Sequence, residues 1–166
     1  APSGDPCDFS EPCLVGAPKP ILVRQAIKTG LSEFCAFSSA EAMAAGSDAE
    51  VIAAFLKGRF RAPIEEDLRA FVDRVRDPIA VRSSSLLEDS YDQPFAGIYC
   101  TAMLPNNDPD SKVRFRKLSQ AVKLVFASSF FQNAKAYLQN TQNRMEEQKM
   151  AVVLQKLVGQ RHGAHF

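Results

Sequence analysis

Two short runs carry the residue types that handle an anion. The first is Val81-Arg82-Ser83-Ser84-Ser85-Leu86-Leu87-Glu88-Asp89; the second is Pro94-Phe95-Ala96-Gly97-Ile98-Tyr99-Cys100-Thr101. In the first, an arginine leaves an apolar run and three hydroxyls follow at once. The guanidinium is a planar fork of five donors that suits phosphate oxygens. Serine hydroxyls and free backbone N–H groups at a strand end add neutral donors. Glu88 and Asp89 suit an ion pair that holds a loop, or a share in placing a divalent cation. In the second run, a strand that begins at Gly97 would put Gly97, Tyr99 and Thr101 on one face. A glycine there lets the backbone approach a ligand closely, and the Thr101 hydroxyl would point the same way. Arg82, Gly97 and Thr101 would then line one anionic pocket. The bland reading stays open beside this one. An Arg-Ser-Ser-Ser strand end also suits a solvated edge, and a strand glycine also suits a bulge.

The elements that must position these residues follow from periodicity. Residues 1–20 hold Pro2, Pro6, Pro12, Pro18 and Pro20 and read as an irregular arm or linker. The spacing Ile21, Ile27, Leu31, Phe34 is loosely helical, with Gly30 against it. Ser38 or Ser39, with Glu41 in the first turn, starts a short helix over 39–45 that stops at Gly46. Ser47 or Asp48 caps the next, with Val51, Ile52, Phe55 and Leu56 as its buried stripe and Gly58 at its end. Pro63 opens a third helix, on Leu68, Phe71 and Val75, which Asp77-Pro78 stops. Residues 78–84 then read as a short buried strand and 95–104 as a longer one. Asp110 or Ser111 caps a helical stretch to about Glu147, with a break near Ser128-Ser129. Its apolar positions are Val113, Leu118, Val122, Val125, Phe126, Phe130, Ala134, Leu138 and Met145. Its basic residues Lys112, Arg114, Arg116, Lys117 and Lys123 read as a solvated face. Met150 to Val158 is the last strand. The order is helices, strand, strand, long helix, strand: an α+β fold on a small sheet.

Composition sets outer bounds. The chain has 166 residues, 46% hydrophobic and 23% charged, with net charge +1. That is the size and balance of a folded domain. No global basic field exists to capture nucleic acid, and no apolar run reaches the roughly 18 residues of a membrane span. Cys7, Cys13, Cys35 and Cys100 form no CxxC pair, which predicts reduced thiols and a cytoplasmic setting. Cys100 reads as core rather than nucleophile. His162 and His165 lack a Cys or carboxylate at zinc spacing, so no metal site is expected on this chain. The first residues show no signal peptide and no Met. With few strands and a Gly-rich turn after the last, the chain reads as cut from a longer one.

The run VRSSSLLEDS…PFAGIYCT, followed by MAVVLQKLVG about fifty residues later, resembles the nucleotide-binding domain of phosphoenolpyruvate synthase and pyruvate phosphate dikinase. Rifampin phosphotransferase and glucan water dikinase share that domain. The hallmark is an Arg-Ser-Ser block, an acidic Glu-Asp, Phe-Ala-Gly, a Thr four residues on, and a late Met-Ala-Val-Val-x-Gln strand. All occur here in order, well matched over residues 78–163, and closest to the phosphoenolpyruvate-synthase-like branch. The resemblance implies part of an ATP-grasp-like domain, with residues 21–166 as its N-terminal part and the C-terminal lobe missing. It implies ATP and Mg²⁺ as cofactors, with metal ligands mainly in the missing lobe. It implies a phosphotransferase that passes the β-phosphate of ATP to a His on another domain, releasing AMP and phosphate, and then to pyruvate or a similar acceptor. The phospho-His and pyruvate-binding domains would be partners within the full-length chain, with no nucleic acid or membrane partner.

Carried over by position, Arg82 would contact the phosphates and be the catalytic residue of this piece. Gly97 would belong to the loop over the phosphates, with Thr101 beside it, and Gln155 would contact the nucleotide. Ser83, Ser84, Glu88 and Asp89 would have supporting roles. Without the resemblance, Gln155 reads as a half-exposed strand residue. The family's Gly-Gly-Lys-Gly-type lysine is not found, and Lys19 in Gly-Ala-Pro-Lys-Pro does not replace it. His162 and His165 do not stand in a Gly-Thr-Ser-His-type setting, so neither is expected to be the phosphorylated histidine. The chain alone is therefore expected to be inactive. The competing expectation is a non-catalytic regulatory or interaction module that retains the fold.

Overall fold

The run Ile79-Ala80-Val81-Arg82-Ser83-Ser84-Ser85 alternates apolar or small residues with outward polar ones, and it folds as the central strand of a sheet. In the computed structural model, residues 26–27, 44–85, 97–139 and 150–157 are described. Their elements are β1 (Ala26–Ile27), α1 (Asp48–Lys57), α2 (Ala62–Arg74), β2 (Ile79–Ser85), β3 (Thr101–Leu104), α3 (Ser111–Ser128), α4 (Gln132–Gln139) and β4 (Met150–Lys156). The sheet order is β1-β4-β2-β3, every pair antiparallel. The fold is α+β, as the residue pattern predicts.

Successive side chains of a strand point to opposite faces. On β2, Ile79, Val81, Ser83 and Ser85 are buried, whereas Arg82 and Ser84 are exposed. Val152 and Leu154 of β4, and Ala102 and Leu104 of β3, share the buried side. Against it lie Leu118, Val122, Val125 and Phe126 of α3, Val51 and Phe55 of α1, and Leu68, Phe71 and Val72 of α2. Among the described residues α1, α2 and α3 pack on this core, and the other face of the sheet carries the outward residues.

The helix ends follow local chemistry. Ser47 caps α1, its Oγ accepting from the Glu50 N–H at 3.3 Å, while Glu50 Oε2 accepts from the Gly46 N–H at 2.8 Å. Asp48 Oδ1 accepts from the Gln132 N–H at 2.8 Å and so ties the start of α1 to the start of α4. Asp110 caps α3 through the Lys112 N–H. The expected break falls at Ser129, which caps α3.

Several expectations are corrected. Ala26–Ile27, placed in a loose helix, is a strand whose partners are Val153 and Val152; the free edge of β4 outweighs a weak helical spacing interrupted by Gly30. Leu56 is 41% exposed rather than part of the buried stripe of α1. Helix α2 ends at Arg74, three residues before Asp77. The carbonyls of Val75 and Asp77 are taken instead by Asn106 Nδ2, at 2.8 and 3.1 Å. Arg114 does not belong to a solvated face, and Lys123 is half-buried. Arg114 is 1% exposed; its guanidinium donates to the carbonyls of Asp108, Pro109 and Val72. Lys123 lies over the Phe60 ring, and its Nζ donates to the Leu56 carbonyl at the end of α1. Cys100 is disulfide-bonded, its partner cysteine lying outside the described residues, so the expectation of reduced thiols fails there. Disulfides join cysteines that meet in space, and their sequence spacing does not forbid a long-range pair. The arm at 1–20, the helix start at Ser38, Ser39 and Glu41, the loop with Glu88 and Asp89, and Met145, His162 and His165 lie outside the described residues.

Buried Arg114 and half-buried Lys123 each yield a prediction. Arg114→Ala strips the partner from three carbonyls and leaves a cavity, so urea denaturation is expected to show a loss of about 3 kcal/mol or more. The second concerns Lys123, whose pKa is lowered by burial and partly restored by Glu65. A base with a depressed folded pKa makes stability rise as pH climbs from that pKa towards the unfolded value of 10.5. In Lys123→Met that rise is expected to vanish, which paired denaturation curves across the alkaline range would show.

Candidate functional site

The register of the sheet decides which predicted site residues meet. Arg82 stands opposite Thr101 of β3 on one side and Val153 of β4 on the other. Directly opposed residues in an antiparallel pair share a face, with Cβ atoms ~5 Å apart. One pleat along, Ala80 stands opposite Met103 and Gln155. The outward face therefore carries two cross-strand rows. The first is Thr101–Arg82–Val153 and the second Met103–Ala80–Gln155, ~7 Å apart along the strands. Arg82, Thr101 and Met103 are exposed; Val153 and Gln155 are half-buried.

The Arg82 guanidinium is largely uncommitted. Its one hydrogen bond among the described residues is a long one, 3.4 Å from Nε to the Ser83 carbonyl, and no carboxylate there pairs with it. Other arginines differ. Arg69 is held by Glu65 at 2.6 Å and lies over Phe115, and Arg114 is spent on backbone carbonyls. An exposed fork flanked by hydroxyls and backed by an ordered strand is a ready receptor for an oxyanion. Of the three serines after it, only Ser84 shares its face; Ser83 and Ser85 turn into the core.

Gly97 is placed differently from expectation. The strand predicted over 95–104 is paired only from Thr101 to Leu104, and Gly97 and Ile98 form a turn before it. The alternation 97, 99, 101 therefore fails. Tyr99 is buried in a small cluster with Leu138, flanked by Ile98, Tyr137 and Met150, whereas Thr101 is exposed. Gly97 has φ +78°, and a Cβ added there would meet nothing within 4 Å. What demands glycine is the left-handed backbone, not close packing. The turn is fastened just beyond. Ser128 Oγ, at the end of α3, accepts from the Cys100 N–H at 3.0 Å and donates to the Val125 carbonyl at 2.7 Å.

Sequence reasoning missed Met103, which a step of two from Thr101 puts on the same face. It also missed Ser128 and Asn106, whose long-range bonds leave no local pattern. Among the described residues, no group of three His, Cys, Asp or Glu is placed to hold a metal ion. None of their helices is long and apolar enough to cross a membrane.

The α+β layer thus carries one face on which an arginine with uncommitted donors stands beside exposed hydroxyls. The chain matches the family model of the pyruvate phosphate dikinase AMP/ATP-binding domain over residues 21–164, and it belongs to that family. No individual curated protein matches it. The family supports ATP as the ligand and phosphotransfer as the class of chemistry.

The Gly97 turn yields a graded prediction. Gly97→Ala is expected to cost about 1–2 kcal/mol through the positive φ alone, with no steric share, because the space is open. Gly97→Asn, which tolerates that region, should cost less. Melting temperatures of the two variants would check the order.

Proposed function

We propose that the outward face of the sheet is the phosphate-gripping surface of a phosphoenolpyruvate synthase or pyruvate phosphate dikinase-type phosphotransferase. The observation that carries the reading is Arg82, with free donors, set between Thr101 and Val153 on the exposed face of a domain in an AMP/ATP-binding family. In this reading the guanidinium takes two phosphate oxygens in parallel, and the hydroxyls of Thr101 and Ser84 donate to oxygens beside them. The Gly97 turn brings backbone N–H groups over the phosphates. The Gln155 amide, one pleat away, meets the nucleoside. Phosphoryl transfer demands positioning and charge neutralisation more than covalent chemistry from the protein, and Arg82 supplies both as charge builds on the transferred group.

The overall reaction in this proposal has two transfers. The β-phosphoryl group of ATP passes to a histidine of another domain, with AMP and phosphate leaving, and then to pyruvate or a similar acceptor. Magnesium accompanies the nucleotide. The outward rows hold no carboxylate, so the described residues do not form a metal cage and no step here runs through the ion. A purely regulatory module is the competing reading. It predicts no need for an unpaired arginine on this face.

Calorimetric titration of ATP, with and without Mg²⁺, tests the proposal. Arg82→Ala is expected to weaken saturable binding by about 10- to 100-fold, the worth of one or two charge-assisted hydrogen bonds. Binding indifferent to that substitution would remove Arg82 from the site.

A further inference from the structure

We infer that the corner between β3 and α3 binds a single halide-sized anion, with Arg114 and Lys117 as its cationic ligands. No residue of the two outward rows lines this place, so the inference stands apart from the nucleotide reading.

The argument begins with a buried charge. Arg114 is 1% exposed. A guanidinium in a protein stays protonated, and a charge out of water needs a counter-charge as well as hydrogen bonds. Here the hydrogen bonds are incomplete. One terminal nitrogen donates to the carbonyls of Asp108 and Pro109 and the other to that of Val72, the last two bonds at 3.3 Å. Carbonyls carry only partial charge, and no carboxylate among the described residues pairs with Arg114. The two carboxylates of the loop serve the backbone instead. Asp108 Oδ1 accepts from the Asp110 N–H at 3.0 Å, and Asp110 Oδ1 from the Lys112 N–H at 2.8 Å. The Arg114 Nε–H has no partner, and it is the one buried side-chain nitrogen or oxygen among the described residues so left. A buried donor without a partner is costly and calls for an explanation.

The second observation is the space beside it. Arg114 lines a cavity of about 10 Å³ together with Leu104, Asn106, Asn107, Asp108 and Lys117. That is room for about one water-sized occupant. It admits a monatomic ion and excludes a phosphate. Lys117 stands three residues after Arg114 on α3 and so on the same side of the helix. It is exposed, and no carboxylate among the described residues pairs with it. The lining thus sets two cations against one carboxylate. A water would satisfy an N–H and leave the buried charge as it is. An anion does both, and that charge is what selects an ion. The same lining includes Asn106, whose amide holds the carbonyls of Val75 and Asp77. An occupant here therefore braces the corner from which β2 sets out.

Chloride is the probe. Chlorine NMR linewidths are titrated with the whole chain in a gluconate background of constant ionic strength, gluconate being too large for the cavity. Wild type is expected to give saturable excess broadening and to melt higher in chloride than in gluconate. Lys117→Gln, at an exposed position, is expected to fold as wild type and to weaken chloride by about 3-fold. Lys112→Gln removes the same charge from the same helix outside the cavity and is expected to leave chloride binding unchanged. Arg114→Met is expected to abolish the broadening; should that variant not fold, the two lysine variants carry the test. Wild type without saturable broadening, the result that a water in the cavity gives, would overturn the proposal. So would Lys117→Gln binding as wild type does, equal losses in the two lysine variants, or a folded Arg114→Met that still broadens the signal.

Discussion

Strand β2 is hydrogen-bonded on both sides, and its side chains must alternate between two unlike environments. That constraint governs the molecule. Ile79 and Val81 belong to the helix-packed core, whereas Ala80, Arg82 and Ser84 belong to the open face. A register slip of one residue would drive the guanidinium into the core and turn the branched apolar residues to solvent. The register is therefore held hard at one end. The Leu157 N–H donates to the Pro78 carbonyl at 2.8 Å, and Lys156 pairs with Asp77 at 2.9 Å. Asn106, itself at φ +51°, holds the carbonyls of Val75 and Asp77 just ahead of the strand. Asparagine tolerates that conformation better than most residues, so one side chain both makes the turn after β3 and fixes the approach to β2. Arg114 fastens the same corner from α3, joining the 108–109 carbonyls to the last turn of α2.

The opposite end of the sheet is held by different means. There the chain must pass from the Gly97 turn into β3, a strand of four residues that stands at the edge of the sheet among the described residues. Its entry is stabilised by burial of Tyr99 against Leu138 and by the bond from the Cys100 N–H to Ser128 Oγ. The break between α3 and α4 has a purpose in this arrangement. It places a buried hydroxyl under the turn and lets α4 fold back with Leu138 against Tyr99. A continuous helix would carry that surface away. The disulfide at Cys100 adds a covalent tie at the same point.

Much of this was legible in the sequence because it is periodic or local. The apolar runs read as strands over 78–84 and 150–158 correspond to β2 and β4. Ser47, Pro63 and Asp110 marked helix starts through interactions within three residues. The Ser128-Ser129 pair marked the break. What was not legible depends on distant partners. Arg114 and Lys123 look like any basic residues of an amphipathic helix; only the arrival of the carbonyls of Val72 and Asp108 makes Arg114 interior, and that of Leu56 draws Lys123 half out of solvent. The two-residue strand β1 has no periodicity to read and exists because β4 has an edge to fill. At the site, the residue types at 82 and 101 were readable and Gln155 entered through the family resemblance, but the cross-strand register that puts the three on one face was not readable. The place of Gly97 was not. An apolar run from Phe95 to Leu104 reads as one strand until the left-handed turn at Gly97 and the burial of Tyr99 break its alternation.

The net charge of +1 bears on how such a face would work. A nearly neutral molecule has no long-range field to gather polyanions, and salt screens single charges beyond ~8 Å. The attraction of Arg82 for any anion is thus short in range. A lone exposed guanidinium with two hydroxyls holds any oxyanion about equally well, since none of these donors distinguishes one phosphate ester from another. Selectivity must come from groups that do not touch phosphate. On this face the nearest such groups are Met103, Ala80 and Gln155, one pleat away and carried by the same three strands. The hydrogen bonding that keeps Arg82 out of the core also fixes its distance from that second row.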